Sequence, residues 1–268
     1  MKIKLATILL SMSLATFGCS DDVEIIGSGG GDDAGVDDTD TGGDDTGGDD
    51  TGGDDTGGDD PVENSYLVEF TNLTTNQPMT APVAAIHDDS INLYELGAIA
   101  TDEIRDIAET GDNTGAVAFA MGAGDLVSAA GEVGATPILP GNMATIMFTS
   151  SNPDHVFSLV NMVICTNDGI TGVDSIPLPT DATGWTLTAV AYDAGTRMNM
   201  DDANSFFPPP CSDLDPTMRT PPPEENPRLP IGAHPGQAGV INTPAAGGNW
   251  DFMPTDDMIS VTMTLVEP

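Results

Sequence analysis

Basic residues are nearly absent from this 268-residue sequence, which has 6 Lys and Arg against 43 Asp and Glu and a formal net charge of −37. Its only lysines are Lys2 and Lys4, at the extreme N-terminus. Proteins that bind nucleic acid or anionic lipid headgroups use Lys and Arg to neutralise phosphate. The composition therefore excludes nucleic-acid binding and direct binding to anionic headgroups.

Side chains that serve in catalysis and in zinc binding are also scarce, because the sequence has three histidines and three cysteines. It contains no Gly-x-Ser-x-Gly elbow, no zinc motif of the His-Glu-x-x-His or Cys-x-x-Cys type and no glycine-rich phosphate loop. A hydrolase built on paired carboxylates stays open as an alternative, although chance pairs of acids are expected in so acidic a chain. We predict a binding module rather than an enzyme.

The first 19 residues have the pattern of a bacterial lipoprotein signal peptide. Lys2 and Lys4 form a basic start, an apolar stretch follows, and Gly18 precedes Cys19. The apolar stretch is too short for a permanent membrane-spanning helix. We predict that residues 1–19 direct export and that acylated Cys19 anchors the protein to the outer membrane, facing the periplasm or the cell surface. The alternative is an ordinary signal peptide that is cleaved near a cysteine.

Residues 20–60 form an acidic spacer that ends in the five-residue repeat DDTGG, running from 44 to 58. A charged, glycine-rich segment with few apolar side chains cannot offset its loss of conformational entropy, so we predict a solvated coil. As a flexible chain it spans about 35 Å, and self-repulsion extends it further. A calcium-binding array is the alternative, but the repeat lacks the bidentate Glu of an EF-hand loop. The spacer is therefore predicted to hold a folded domain away from a membrane.

Residues 61–268 are predicted to form one all-β domain, because short β-branched runs with two-residue alternation are separated by Gly, Asn, Asp and Pro turns. This pattern is typical of an antiparallel β-sandwich. The candidate strands are 66–73, 83–86, 92–96, 116–121, 144–149, 157–165, 175–178, 186–192 and 259–266.

One or two short helices interrupt the predicted strands. Thr101 can cap a first helix whose apolar face includes Ile104 and Ile107, and Gly111 follows its end. A second helix is predicted near 125–130.

A long proline-rich loop is predicted between residues 198 and 257, which contain twelve prolines. Proline is excluded from central strands, so we expect an arm lying across the sandwich, with a disordered surface loop as the alternative. If Cys19 is acylated, Cys165 and Cys211 remain as an even pair in an oxidising compartment. We predict that they form a disulfide that ties this arm to a strand, the alternative being two separate cysteines.

The best-supported chemistry is binding of a hard cation by carboxylate oxygens on loops. Glu109, Asp168 and Asp193 are acids next to glycine positions at the predicted ends of elements. They are our candidate metal ligands, and calcium is the predicted ion.

Five short segments support this choice and occur in a fixed order along the chain. They are HDDSINLYELG at 87–97, IAETG at 107–111, FSLVNMVICTNDGITGVD at 157–174, DAGT at 193–196 and HP at 234–235. Over residues 66–266 the sequence thereby resembles the spondin N-terminal domain family.

The resemblance implies a C2-like β-sandwich of about eight strands that holds a calcium ion and acts in extracellular adhesion. The family's ligand positions correspond to Glu109, Asp168 and Asp193 in this sequence. Arg197 stands where family members usually have an acid after DAGT, which removes a possible fourth ligand. We predict a lipid-anchored adhesion module whose partner is an extracellular protein or glycan. The alternative is a purely structural envelope spacer without a ligand.

Overall fold

The structure is a computed structural model. The residues that it describes are 62–199, 211, 220–237, 242–243 and 248–267. The predicted signal peptide with Cys19 and the predicted acidic spacer therefore lie outside the described residues.

The described chain consists mainly of β-strands, with two helices and one short 3-10 turn. In chain order the elements are β1 (Asn64–Asn72), β2 (Val83–His87), α1 (Asp102–Thr110), α2 (Thr114–Gly122), the 3-10 turn (Gly124–Leu126), β3 (Val127–Glu132), β4 (Met143–Ser150), β5 (Val156–Met162), β6 (Gly169–Pro177), β7 (Trp185–Ala189), β8 (Ala191–Asp193), β9 (Gly232–Ala233), β10 (Asn242–Thr243), β11 (Gly248–Asn249) and β12 (Ile259–Glu267).

Two antiparallel sheets carry the fold. One has the strand order β4-β1-β12-β7, and the other has the order β3-β2-β5-β6-β8-β9. Residues of β1 alternate between the buried and the more exposed side, so Tyr66, Val68 and Phe70 enter the core. They pack with Phe157 and Leu159 from the second sheet in one apolar cluster between the sheets. The predicted all-β sandwich is confirmed.

Both helices cover the outer face of the six-stranded sheet. Ile104 and Ile107 of α1 pack with Val160, Met162 and Ile170 in a second apolar cluster. Because this sheet is covered on both faces, β5 is buried along its whole length. The outer layer holds α1 against the strands that carry the candidate ligands.

The first helix begins and ends as predicted. The hydroxyl of Thr101 accepts a hydrogen bond from the Ile104 N–H at 3.3 Å. Gly111 ends the helix with φ of +69°, and a Cβ at this position would lie 2.6 Å from a side-chain carbon of Thr80. Only glycine meets both conditions without a shift of its neighbours, which explains the glycine of the IAETG segment.

The predicted strand at 116–121 is wrong, because these residues lie in α2. Alanines alternate with larger side chains in this segment and imitate the two-residue period of a strand. Alanine has the highest helix propensity, and Ala116 and Ala120 form a small face, one helical turn apart, that packs on the sheet. Phe119 and Met121 are left exposed.

Four other elements differ from the sequence predictions. The predicted helix at 125–130 is a short 3-10 turn followed by β3, and the predicted strand at 92–96 is a loop. Strand β6 begins at Gly169 rather than at residue 175, so it carries acids both before and within it. The predicted strand at 186–192 is divided into β7 and β8, which belong to different sheets.

Described parts of the proline-rich region lie against the sandwich. Strand β9 pairs with β8 at the edge of the six-stranded sheet, and Glu224 forms an isolated β-bridge with Arg197. Cys211 forms a disulfide with Cys165, the pairing predicted from the sequence, and both are buried with Trp250. Within the described residues, no helix combines the length and the hydropathy needed to cross a membrane.

Candidate functional site

Sheet register brings two of the predicted ligands together. Asp168 immediately precedes β6, and Asp193 is the last residue of β8. Gly169 pairs with Asp193 across the two antiparallel strands, so the two acids lie at the same end of the sheet. Glu109 reaches this end from the last turn of α1, which packs on β5 and β6. Three distant parts of the sequence therefore meet at one end of the six-stranded sheet.

The DAGT segment wraps around the buried carboxylate of Asp168. Oδ2 of Asp168 accepts hydrogen bonds from the backbone N–H groups of Thr196 at 2.7 Å and Arg197 at 2.8 Å, and from the Thr196 hydroxyl at 3.2 Å. Gly195 has φ of +67°, and a Cβ on it would lie 2.3 Å from the Leu229 carbonyl oxygen. The glycine of DAGT is therefore required for the loop to turn its N–H groups toward Asp168.

Asp193 closes the same loop. Its Oδ1 accepts a hydrogen bond from the Gly195 N–H at 2.7 Å, and its Oδ2 accepts one from the Asn199 side-chain amide at 2.6 Å. Burial, together with the negative charge of Asp193, raises the pKa of Asp168 to about 7, although the hydrogen bonds from Arg197 and Thr196 oppose this rise. A proton or a cation is therefore favoured at Asp168 near neutral pH.

Arg197 is the counter-ion of this site. Its guanidinium Nη2 lies 2.5 Å from Oε2 of Glu109, and both side chains are largely buried. Nη1 of Arg197 also donates to the Pro222 carbonyl at 3.0 Å, which links the site to the proline-rich region. The residue that departs from the family pattern in sequence is thus bound to one of the predicted ligands.

The three predicted ligands do not form one tight cluster, because Asp168 interacts with Asp193 whereas Glu109 pairs with Arg197. Among the described residues, no group of three or more His, Cys, Asp or Glu side chains is placed to hold one metal ion. Even so, Oε1 of Glu109 and Oδ1 of Asp168 are buried and have no hydrogen-bond partner in the described part of the chain. Buried carboxylate oxygens without partners are unfavourable, and hard oxygen donors are the ligands that calcium prefers. The free oxygens of Glu109 and Asp168 are therefore of the chemical kind that calcium binds.

Two supporting features stabilise the turn before β6. The Thr166 hydroxyl donates to the Val163 carbonyl at 2.7 Å and accepts from the Gly169 N–H at 2.8 Å. Cys165, three residues before Asp168, is fixed by its disulfide to Cys211. Sequence reasoning found the disulfide but missed Thr166, whose only signal was its place in the TNDG turn.

Comparison with known proteins supports what the fold and the DAGT loop indicate. The family model Spondin_N matches residues 63–216, more than half of the chain. The chain belongs to the spondin N-terminal family. The match includes Glu109, Asp168 and Asp193, so all three predicted ligands lie within the spondin region. A search of curated proteins found no match.

The spondin assignment defines the described domain at a general level. It is a spondin-like extracellular module, and the spondin N-terminal family is non-enzymatic. The resemblance seen in the sequence is therefore confirmed as a family relationship.

Proposed function

We propose that this spondin domain is a calcium-binding adhesion module, anchored to the bacterial outer membrane through acylated Cys19 and held off it by the acidic spacer. Glu109, Asp168 and Asp193 would hold the calcium ion. The observation that carries the proposal is that Glu109 and Asp168 each have a buried carboxylate oxygen without a hydrogen-bond partner among the described residues. The partner that this adhesion module binds is an extracellular protein or glycan.

Charge supports a cation at this site. Within the described residues, only Glu109 of the three carboxylates pairs with a guanidinium, that of Arg197, so the site retains net negative charge when all three are ionised. A divalent cation offsets the repulsion between Asp168 and Asp193 that otherwise favours a bound proton. Calcium is preferred to magnesium because loop-borne oxygens suit its larger and more flexible coordination shell.

Thermal unfolding of the full chain with calcium or magnesium at matched ionic strength tests the metal site. For an affinity on the order of 10⁻⁴ M, calcium at about one hundred times that concentration stabilises the fold by about 2.7 kcal/mol. This corresponds to a rise in Tm of about 5–10 °C for a domain of this size. Magnesium is expected to give less than half of this rise.

Matched variants separate the site from general screening of the net charge. Asp193→Asn is expected to remove the difference between the two ions, whereas Asp154→Asn, at an exposed acid, is expected to retain it. Equal Tm shifts with calcium and magnesium in the unmodified protein would contradict the proposed site.

Membrane anchoring has its own test. The mature protein is expected to partition into detergent, and Cys19→Ala is expected to leave it in the aqueous phase, because the acyl chains are attached to the Cys19 side chain and N-terminus. A Cys19→Ala protein that still fractionates with membranes would exclude the lipid anchor.

A further inference from the structure

We call Glu109, Asp168 and Asp193 with their surrounding loops the acid site. A separate groove runs between β6 and β7. Strand β8 pairs with β6 only through Gly169, Ile170 and Thr171, so the rest of β6 has no described strand on that side. Strand β7 is the last strand of the four-stranded sheet and pairs with β12 alone among the described strands. The groove, with a volume of about 500 Å³, therefore lies between two unpaired strand edges.

The floor of the groove is apolar and continues along both strands. Val173 and Ile176 of β6 and Leu187 of β7 line it. A neighbouring hollow of about 380 Å³ shares Ile176 and Leu187 and extends to Trp185. Together the two hollows form an elongated surface that suits an extended chain.

A carboxylate is fixed in one wall of this groove. Asp174 is half-buried, and its Oδ1 accepts a hydrogen bond from the Ser158 hydroxyl at 3.0 Å. Ser158 is fully buried, and its hydroxyl oxygen lies 2.8 Å from Nε2 of His87. The second oxygen of Asp174 has no hydrogen-bond partner among the described residues. The core thus fixes Asp174 while leaving one oxygen for a ligand.

A buried tyrosine lies beside this carboxylate. Tyr94 is 4% exposed, lines the groove, and receives no hydrogen bond to its hydroxyl from the described residues. Its ring centroid lies 6.4 Å from that of Tyr192 in the same wall. Burial and the nearby Asp174 raise the pKa of the Tyr94 hydroxyl, so it stays a neutral hydrogen-bonding group. Glu95 adds a second, exposed carboxylate.

We propose that this groove binds an extended peptide segment of a partner protein that carries a Lys or Arg side chain. The peptide backbone pairs with a free edge of β6 or β7, as in recognition by strand addition. Its cationic side chain contacts Asp174, Glu95 and the partly exposed ring of Tyr192, whose face attracts cations. Its apolar side chains cover the groove floor.

Charge complementarity selects this occupant. The chain carries a formal net charge of −37, so a second copy of it brings acid to an acidic groove. A glycan would contact the tyrosines and carboxylates but would leave the backbone groups of both strand edges unpaired. The proposal names the ligand class of the proposed adhesion module, and it depends on that function only for its extracellular setting.

Binding of a short fluorescent peptide of alternating threonine and arginine to the full chain tests this proposal. Fluorescence anisotropy at physiological ionic strength is expected to show saturable binding. A peptide with glutamate in place of arginine is expected to bind at least about tenfold more weakly, because its carboxylates are repelled by those of Asp174 and Glu95. The arginine peptide with methylated backbone nitrogens cannot donate the hydrogen bonds that pair strands, and its affinity is expected to fall by about as much.

Protein variants locate the site. The double variant Glu95→Gln and Asp174→Asn is expected to weaken binding of the arginine peptide at least about tenfold. Thr188→Lys places a large, positively charged side chain at an exposed position on the groove rim, and it is expected to obstruct the peptide without changing the core. The control changes Glu132→Gln and Asp154→Asn, which remove two exposed acids elsewhere, and is expected to change binding less than about twofold. Tm values show whether each variant is folded.

Three results would overturn the proposal. One is an equal loss of binding in the groove and control variants, which indicates attraction to the net charge alone. The others are undiminished binding of the peptide with N-methylated backbone and competition by a neutral oligosaccharide, and each of these indicates recognition without strand pairing. All measurements are made with calcium and with chelator, so a failed calcium site is distinguished by unchanged peptide binding.

Discussion

The two carboxylates associated with β6 show how differently one strand can use the same chemical group. Asp168, just before the strand, is fully buried, with one oxygen saturated by three hydrogen bonds and Arg197 close by. Asp174, within the strand, is half-buried, and neither it nor Glu95 takes part in an ion pair within the described residues. The first arrangement suits an enclosed ion, and the second suits a partner that brings its own positive charge.

The largest expected effect is on the pH dependence of the free energy of unfolding, to which Asp168 contributes more than Asp174. The pKa of Asp168 in the folded protein is about 7, above its ordinary value of 3.8, so its ionisation opposes folding. The contribution of Asp168 to stability is therefore fully present below about pH 4 and is lost as pH rises through 7, by about 4 kcal/mol. Asp168→Asn is expected to remove this loss in chelator, as measured by urea unfolding between pH 4 and 8.

Asp174→Asn is the matched comparison for that experiment. Burial also raises the pKa of Asp174, but the group is half-buried and its hydrogen bond from Ser158 favours the ionised form. Its removal is expected to change the pH dependence less. If both variants keep the full pH dependence of the unmodified protein, the contrast between the two carboxylates is wrong.

The next effect tests whether the disulfide supports only the acid site. Cys165 and Cys211 are 46 positions apart, and cross-linking a loop of this length stabilises a fold by about 4 kcal/mol in the chain-entropy estimate. Replacing both cysteines by alanine is expected to destabilise the protein by a similar amount, as measured by urea unfolding. Calcium binding should weaken because Cys165 lies three residues before Asp168, whereas binding of the arginine peptide to the folded protein should persist.

Removal of the Arg197 guanidinium tests the buried environment of Glu109. Arg197→Met leaves the buried Glu109 carboxylate without its partner, and breaking a buried ion pair in this way costs about 3 kcal/mol. Denaturant unfolding in chelator measures this loss, and calcium should recover part of it. Arg105→Met, at a half-exposed surface pair, is the control and is expected to cost less than about 1 kcal/mol. Equal losses would mean that Glu109 is not a buried charge.

The smallest expected effect lies at the groove. Ser158→Ala removes the hydroxyl that holds Asp174 and also leaves the Ser175 N–H, which donates to it at 2.9 Å, without this acceptor. The variant is expected to lose about 2 kcal/mol of stability and to bind the arginine peptide more weakly. Calcium-dependent stabilisation should be unchanged, since the acid site does not use Ser158. A changed calcium response would show that the two sites are coupled through β6.

Sequence patterns predicted the sheet-forming segments best where side chains alternate between core and solvent. In β1 the order of Tyr66, Val68 and Phe70 directly records which face is buried. The same rule failed in α2, where the small Ala116 and Ala120 pack on the sheet while Phe119 and Met121 are exposed. A sequence in which small and large residues alternate looks the same whether the large or the small residues are buried, and only packing in the folded protein distinguishes the two cases.

The turns next to Glu109 and Asp193 were predictable because the IAETG and DAGT segments carry glycines that their backbones require. Gly111 and Gly195 adopt positive φ next to close neighbours, so a sequence that folds this way must retain them. The pairing of Arg197 with Glu109 was not predictable, since these residues are 88 positions apart and nothing local relates them. The groove was hidden for the same reason, because an unpaired edge depends on where β8 stops pairing with β6.

The sequence by itself determined the all-β class, the first helix with its two caps, the family and the three acids that are the candidate ligands. These features depend on side-chain period, backbone requirements and residue chemistry, which act over a few neighbouring residues. Tertiary structure alone decided which carboxylate is buried beside Arg197 and which faces an open groove. Charge, burial and free strand edges arise from contacts between distant segments, so the two acids of β6 acquire their different environments only when the two sheets pack.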